Sequence, residues 1–446
     1  MRLRERPTNS NRNPRRSCRR SDLQEVLQAE AMKEPSNPLE LISAAPGAPP
    51  PLKALQRLGA RDGLLGLASA QELSGLREAV GHGHPEWMAM APALALGSGG
   101  SMGRRRWCLQ PLAHLEASAA ATGSWLRELG IDPSRALVVN PLPWHHVSGL
   151  MPWLRSQCWG AEHHWLPPAQ LRHLEALPLP SPSGGAALLS LVPTQLHRLL
   201  AKPVGVRWLR EFAVIWVGGA PLAEADAVRS RELGLRLAPC YGSTETGSMV
   251  AALAPEAFLE GRRGCGLPLP HAELKIAPGS GAVEVRTSSL SPGHLEGGRL
   301  LPLERNTAGW WRTGDGGRLD PGGLTLLGRL DGAFNSGGET VFPEQVEQAL
   351  KALAAQRGLP LQALLLLARP DLEWGQRLVA LVRGQEKSDG EELLAALRAL
   401  ATGLPPAQRP REWRLCLQLA PNALGKWERS RWHDWLSAQD QPSGQG

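Results

Sequence analysis

Apolar residues recur along this chain with two periods, and their alternation predicts the fold class. Leu112, Leu115, Ala119, Leu126 and Leu129 fall at helical spacing and give one helix an apolar face. Residues 136–139 (ALVV), 187–192 (ALLSLV) and 212–217 (FAVIWV) are short unbroken apolar runs, which read as buried strands. Leu196, Leu199 and Leu200 mark a helix after the second run, and Gly218-Gly219 closes the third. Strands alternating with helices predict an α/β fold with a parallel sheet and helical crossovers. Ligands of such sheets bind beyond the C-terminal strand ends, so the Gly-rich loops after strands are the places to seek chemistry.

The pattern changes twice more. Residues 262–330 are Gly- and Pro-rich with short strand-like pieces, such as Ala282–Val285 and Leu324–Leu327, and predict a β-rich subdomain. From residue 331 a smaller unit begins, with a helix over 344–354 opened by Pro343 and strands at Leu364–Ala368 and Leu378–Val382. Residues 1–48 are polar, with scattered prolines, and are expected to be a largely disordered tail with a short helix near Leu23–Ala31. The expected division is therefore a basic tail over 1–48, a large domain over 49–329 and a small domain over 330–446, with the boundary near Gly328–Asp331. A length of 446 residues suits two or three units at ~150 residues each.

Charge sharpens what is excluded. The net charge of +7 comes from 49 basic and 42 acidic residues. Arg2, Arg4, Arg6, Arg12, Arg15, Arg16, Arg19 and Arg20 against Glu5 account for all of it, leaving 41 of each sign over the other 426 residues. A nucleic-acid face therefore loses its main support, and no partner of that kind is expected. No run of ~18 apolar residues exists, so no membrane span is expected. The six cysteines lie at least 25 residues apart with no CxxC pair, which argues against zinc and for free thiols in a reducing, cytoplasmic setting. The sixteen tryptophans, beside a single tyrosine and four phenylalanines, are expected to fill core positions, and His163-His164 to lie on the surface.

Four loops carry candidate chemistry. Ser98-Gly99-Gly100-Ser101-Met102-Gly103, followed by Arg104–Arg106, offers backbone N–H groups, hydroxyls and cations suited to phosphate. Tyr241-Gly242-Ser243-Thr244-Glu245-Thr246 places a carboxylate among hydroxyls, a setting for Mg²⁺ beside phosphate. Residues 311–315 (WRTGD) and 328–331 (GRLD) supply Asp315, able to accept two bonds from a ribose diol, and the planar donor Arg329. Lys426 stands in a Gly-Lys loop of a chain with seven lysines and 42 arginines. Each loop alone reads equally as a solvated turn.

Their order resembles the adenylate-forming superfamily of acyl-CoA synthetases, adenylation domains and luciferases, over roughly residues 90–432. Residues 142–150 (LPWHHVSGL) resemble the PLFHVSGL segment of these enzymes. Residues 190–200 (SLVPTQLHRLL) resemble the SLVPTQLxRLL run of 2-succinylbenzoate–CoA ligases, and residues 335–347 (NSGGETVFPEQVE) their ISGGENIYPxEIE segment. The phosphate loop departs from the family's TSGSTGxPKG, with Met102 for a threonine and Arg106 for the lysine. The loss of one hydroxyl contact, worth ~1–2 kcal/mol, implies weakened ATP binding rather than lost function. The segment before this loop also looks short for the family.

The resemblance implies an AMP-forming acid–thiol ligase that uses ATP, Mg²⁺ and coenzyme A, with a small mobile C-terminal domain. It implies that Ser98, Gly99, Gly100, Ser101, Gly103 and Arg106 cradle the β- and γ-phosphates. Thr244 would contact the α-phosphate, Glu245 hold the metal, and Tyr241, Gly242 and Ser243 line the nucleotide. Asp315 and Arg329 would hold the ribose, and Lys426 bridge the attacking carboxylate and the α-phosphate. Asp331 matches the hinge, and Gly337 and Gly338 the approach of the CoA thiol. His146, Ser148, Thr194 and Gln195 are candidates for the acyl pocket, with Gly218, Gly219 and Ala220 as its backbone wall; His146 is also carried as a catalytic candidate. The implied substrate is 2-succinylbenzoate, on the route to menaquinone and phylloquinone. Alternatives are another aryl- or fatty-acyl-CoA synthetase, a non-catalytic adenylate-binding module, or, lower, a carrier-loading adenylation domain. A homodimer is compatible with this reading.

Overall fold

The structure, a computed structural model, describes residues 38–421 and 427–440, except 46, 59–62, 82–85, 100–104, 174, 176, 178, 181–183 and 387. The helix expected near Leu23–Ala31, the centre of the Ser98–Arg106 loop and Lys426 lie outside the described residues.

The chain opens with β1 (Leu39–Ala44), α1 (Leu52–Leu58), β2 (Leu64–Ser69), α2 (Leu73–Val80), β3 (Ala93–Ser98) and β4 (Arg106–Pro111). These strands lie in the order β1-β2-β3-β4 of a first sheet. β1 corrects the expected tail, which reached residue 48. Leu39 and Leu41 pack toward one core cluster, Ile42 and Ala44 toward another, and the strand runs parallel to β2 with Leu39 opposite Leu64. This two-residue alternation outweighs the surrounding prolines.

Next come α3 (Leu112–Glu128), β5 (Leu137–Asn140), α4 (Val147–Trp159), β6 (Glu162–Trp165), β7 (Ala187–Leu191), α5 (Pro193–Leu200), α6 (Pro203–Leu209), β8 (Val214–Val217), α7 (Glu224–Glu232), β9 (Leu237–Ser243), β10 (Ser248–Ala252), α8 (Pro255–Leu259) and β11 (Leu267–Pro268). The second sheet runs β11-β10-β9-β8-β7-β5-β6, parallel from β6 to β9. Its side chains alternate between two cores. Leu137, Val139, Leu189, Leu191, Ile215 and Val217 face one, whereas Val138, Leu188, Val214 and Trp216 face the other. Burial on both faces explains why these strands read as unbroken apolar runs.

β12 (Ala272–Ile276), β13 (Ala282–Thr287), β16 (Trp311–Asp320) and β17 (Gly323–Arg329) form an antiparallel third sheet, while β14 (Gly293–Glu296) and β15 (Arg299–Pro302) return to the first sheet beside β4. The last unit holds β18 (Phe334–Ser336), β19 (Glu339–Val341), α9 (Pro343–Gln356), β20 (Leu361–Asp371), β21 (Gly375–Gly384), α10 (Gly390–Ala401), β22 (Glu412–Leu415) and α11 (Arg429–Asp440). Again the faces alternate: Leu364, Leu366, Leu378 and Ala380 pack with α9 and α10, and Leu365, Leu367, Val379 and Leu381 with α11. The molecule is a mixed α/β protein, and among the described residues no helix is long and apolar enough to cross a membrane. Nine tryptophans, Trp87 and Trp432 among the most enclosed, are buried.

An ion cluster pins α11 to α9. Arg429 lies 3.1 Å from Glu344 and 2.9 Å from Glu347, and donates to the Leu366 carbonyl. Glu347 is 4% exposed and accepts the Leu366 N–H. Removing one partner of a buried pair leaves an uncompensated charge, so Arg429→Met should cost ~3–5 kcal/mol in denaturant unfolding. Adding Glu347→Gln, which keeps the acceptor without the charge, should recover part of that loss. Additive losses would show that charge is not the cause.

Candidate active site

The parallel run of β5, β7, β8 and β9 brings four candidate loops to one sheet edge. His146 and Ser148 follow β5, Thr194 and Gln195 follow β7, Gly218, Gly219 and Ala220 follow β8, and Thr244 and Glu245 follow β9. Gly219 takes φ +82°, a turn that favours glycine.

The Tyr241–Ser248 loop is the point where three sheets meet. Within the second sheet, β9 and β10 approach so closely at Gly242 that a Cβ there would strike the Ser248 carbonyl oxygen. Toward the third sheet, the Tyr241 hydroxyl donates to Asp315 Oδ2 at 2.7 Å. Burial, with the Asp315 carboxylate second, pushes the Tyr241 phenol well above its ordinary value and keeps it a donor. Toward the first sheet, the Gln110 amide on β4 donates to the Thr244 and Glu245 carbonyls at 2.5 and 3.2 Å, and Ser291 N–H donates to the Glu245 carbonyl at 2.7 Å. The Glu245 carboxylate is 3.2 Å from His294 Nε2, and both side chains are 12% exposed. Burial alone would raise the Glu245 carboxyl, but the His294 hydrogen bond and those of the loop outweigh it and hold the group down at about 2. Ser243 N–H donates to Thr246 Oγ1 at 2.8 Å, closing the turn.

Asp315 and Arg329 are neighbours across β16 and β17, with Arg329 Nη1 3.3 Å from Asp315 Oδ1. The same guanidinium donates through Nε and Nη2 to both oxygens of Asp331, at 3.2 and 3.1 Å. Expected nucleotide residues and the expected hinge thus share one cation. Gly337 and Gly338 sit at the β18–β19 turn with φ +57° and +87°. Gly337 N–H donates to Trp374, and a Cβ there would strike the Trp374 ring.

Several assignments need adjustment. Ser98 is buried and its Oγ meets no partner among the described residues, while Gly99 is exposed. Arg106 opens β4 opposite Ser98 and points to solvent; Arg105 is the arginine turned inward. Its guanidinium packs against Gly97, lies 3.0 Å from Glu72 and donates to His146 Nδ1 at 2.8 Å. Arg105 and Glu72 were not legible as site residues, because nothing in a one-dimensional pattern relates positions 72, 105 and 146. Gln195 commits both ends of its amide to backbone, accepting from Val192 N–H and donating to the Pro141 carbonyl. Ser148 is exposed on the first turn of α4, and Thr194 is half-buried. His163 is not a surface residue: burial lowers its ring to about 4, and it lies 3.4 Å from Asn140 Nδ2. The β6 alternation buries it while exposing His164.

Arg155 was also missed. It is 3% exposed on α4, donates to Ser248 Oγ at 2.9 Å and stands 5.6 Å from the Trp216 ring centre. Among the described residues no carboxylate pairs with it, and burial lowers its guanidinium to about 10. His271, neutral because burial and Arg155 lower it to about 4, has both ring nitrogens buried without partners among the described residues. Ser248 itself takes φ +117°, a strained backbone for a non-glycine residue.

Residues 34–290 match the family model described as AMP-binding enzyme. The chain belongs to that family. It is 33% identical to the Salmonella typhimurium 2-succinylbenzoate--CoA ligase over 273 residues, 61% of this chain and 54% of that protein. It is 30% identical over 354 residues to a Mycobacterium tuberculosis protein named "Probable 2-succinylbenzoate--CoA ligase", covering 76% of this chain and 83% of the relative. The chain spans about half the length of the first curated relatives it matches. Among solved structures, a singly substituted Escherichia coli MenE with bound OSB-AMS superposes with a TM-score of 0.59 at 28% identity, covering 78% of this chain and 69% of that one. The mixed α/β architecture of this chain is that of these adenylate-forming folds.

The low Glu245 value has a testable sign. A carboxyl held near 2 in the folded state and near 4.5 when unfolded stabilises above pH 4.5, and loses that stabilisation as pH falls from 4.5 toward 2. Unfolding free energy should drop by roughly 2–3 kcal/mol across this window, and Glu245→Gln should flatten the drop. An unchanged pH profile in the variant would remove Glu245 as its source.

Proposed function

We propose that this chain is an ATP-dependent, AMP-forming acid–CoA ligase that converts 2-succinylbenzoate to its CoA thioester through an acyl-adenylate, a step toward menaquinone and phylloquinone. The observation that carries the substrate is Arg155. A buried guanidinium without an acidic partner is costly unless an anion joins it. It lies against Ser248, where the loop after β9 ends, and Trp216 on β8, in keeping with an aromatic acid that carries a second carboxylate. The 2-succinylbenzoate--CoA ligases among the relatives and the OSB-AMS held by E. coli MenE support the same choice.

In the proposed reaction the substrate carboxylate attacks the α-phosphate of ATP and pyrophosphate leaves, since oxide could not be expelled directly. The protein's work is positioning and charge neutralisation. Thr244 and backbone donors of the loop after β3 would meet the phosphates, and Tyr241 and Arg329 orient Asp315 toward the ribose. Lys426 supplies the ammonium between the two reacting groups. Glu245 suits Mg²⁺: it is an ionised oxygen donor beside the Ser243 and Thr244 hydroxyls. The cation would take its remaining ligands from phosphates and water. Bound there, Mg²⁺ would offset charge on the phosphate oxygens. CoA thiolate then attacks the adenylate carbonyl, the acyl–phosphate bond breaks and AMP leaves, with Gly337 and Gly338 admitting the thiol. We further propose a division at Arg329–Asp331 into a large unit and a small mobile one, Asp331 being the hinge, in a cytoplasmic protein that acts as a monomer or homodimer.

CoA thioester formation and AMP release with 2-succinylbenzoate, ATP and Mg²⁺ test this directly. A panel of aryl and fatty acids in pyrophosphate exchange separates other ligases, and no AMP with any acid would favour a binding module. Arg155→Met should cost at least ~10–100-fold in exchange with 2-succinylbenzoate yet leave benzoate-type monoacids little changed, because a charged hydrogen bond is worth ~1.5–3 kcal/mol. The same variant should raise the melting temperature, since it removes a buried charge. Equal losses with both acids would refute the assignment. Lys426→Ala should abolish adenylate formation while sparing thioesterification of a preformed acyl-adenylate; equal loss of both halves would reject that role.

A further inference from the structure

We infer that His294 is a positioning residue for the metal carboxylate: its ring fixes Glu245 so that the second carboxylate oxygen is aimed at the nucleotide's divalent cation. This deepens the proposed reaction and rests on it. An ionised carboxylate only accepts hydrogen bonds, so the 3.2 Å contact to Oε1 requires His294 Nε2 to carry the proton. A carboxylate is planar, so fixing one oxygen also sets the direction of the other. Glu245 has no lysine or arginine partner among the described residues and its side chain is 12% exposed, so its second oxygen is open to a cation rather than to a basic side chain.

His294 is delivered by an element distant in sequence and rigid in space. β14 pairs with β4, with His294 opposite Cys108 and Gly293 opposite Leu109. Ser291 Oγ lies 2.6 and 2.9 Å from the Leu109 and Gly293 carbonyls, one of which takes its single proton, and accepts the Gly293 N–H at 3.1 Å. Ser291 N–H meanwhile donates to the Glu245 carbonyl. One segment, Ser291–His294, therefore grips both the main chain and the side chain of Glu245, and Gln110 on β4 holds the preceding carbonyl. Outer-shell partners of this type orient a metal ligand without touching the metal.

The test uses the full chain with Mn²⁺ and α,β-methylene-ATP, with bound Mn²⁺ read by electron paramagnetic resonance. His294→Gln carries an amide N–H at about the reach of Nε2, His294→Asn falls short, and His294→Leu lacks the donor. Gln should bind Mn²⁺ within ~3-fold of the parent, and Asn and Leu roughly 10–100-fold more weakly. In pyrophosphate exchange the Mg²⁺ activation constant should rise in Asn and Leu, while the rate at saturating Mg²⁺ holds. Unchanged Mn²⁺ affinity in folded Asn, or Gln as weak as Asn, overturns the inference. Should Leu fail to fold, the Gln and Asn pair decides alone. A parent chain that binds no Mn²⁺–nucleotide complex overturns the reaction itself, and the inference with it.

Discussion

The hydrogen bond between Tyr241 and Asp315, together with its counterpart between Glu245 and His294, makes one loop the joint of three sheets. Every other feature of the site depends on that joint. The second sheet supplies the loop, the third sheet the carboxylate for Tyr241, and the first sheet the donors for Glu245. The loop needs support from more than its own sheet, because it ends at Ser248 with φ +117°, a conformation that costs a non-glycine residue energy. The chain thus fixes the geometry of this loop with polar contacts between layers whose internal cohesion is apolar.

The legible part of the fold was the part governed by local period. The runs at 136–139, 187–192 and 212–217 became β5, β7 and β8 because both of their faces are buried, and Pro343 opened α9 as its fixed φ suggests. β1 was hidden because a six-residue alternation is faint among prolines. In the site, Tyr241, Glu245, Asp315 and Arg329 were readable from loops whose residue types suit phosphate and ribose. Arg105, Arg155 and His294 were not. Each acts across a gap that only tertiary structure closes: Arg105 to His146, Arg155 to Ser248, His294 to Glu245. A single signal was available for Arg155, an arginine inside the run Gly149–Ser156, which α4 buries on all sides.

The three charged groups of the site meet burial in different ways. Glu245 is buried and compensated by hydrogen bonds, so it stays ionised at little cost. Arg329 is half-exposed and shared between Asp315 and Asp331, so its pairs contribute geometry more than energy. Arg155 is fully enclosed with one hydroxyl and an aromatic ring, which is poor compensation for a cation. Arg155 is thus the least compensated of the three charges, which is why the proposed function gives it the substrate's second carboxylate.

The placement of Arg329 has a further consequence for the proposed hinge. Its guanidinium cannot improve its geometry toward Asp315 without altering its two bonds to Asp331, because a planar fork has fixed directions. Glu344 closes the other side of the same connection: it sits against Gly328 and Gly332 while it pairs with Arg429 at the start of α11. Burial, only partly offset by Arg429, raises the Glu344 carboxyl, so it is held there at some cost. A change in the backbone at Leu330–Gly332 must therefore rearrange an ion pair on each side, one leading to Asp315 and one to the last helix. Coupling of this kind needs no long pathway, since Arg329 borders the connection and Glu344 lies against its glycines.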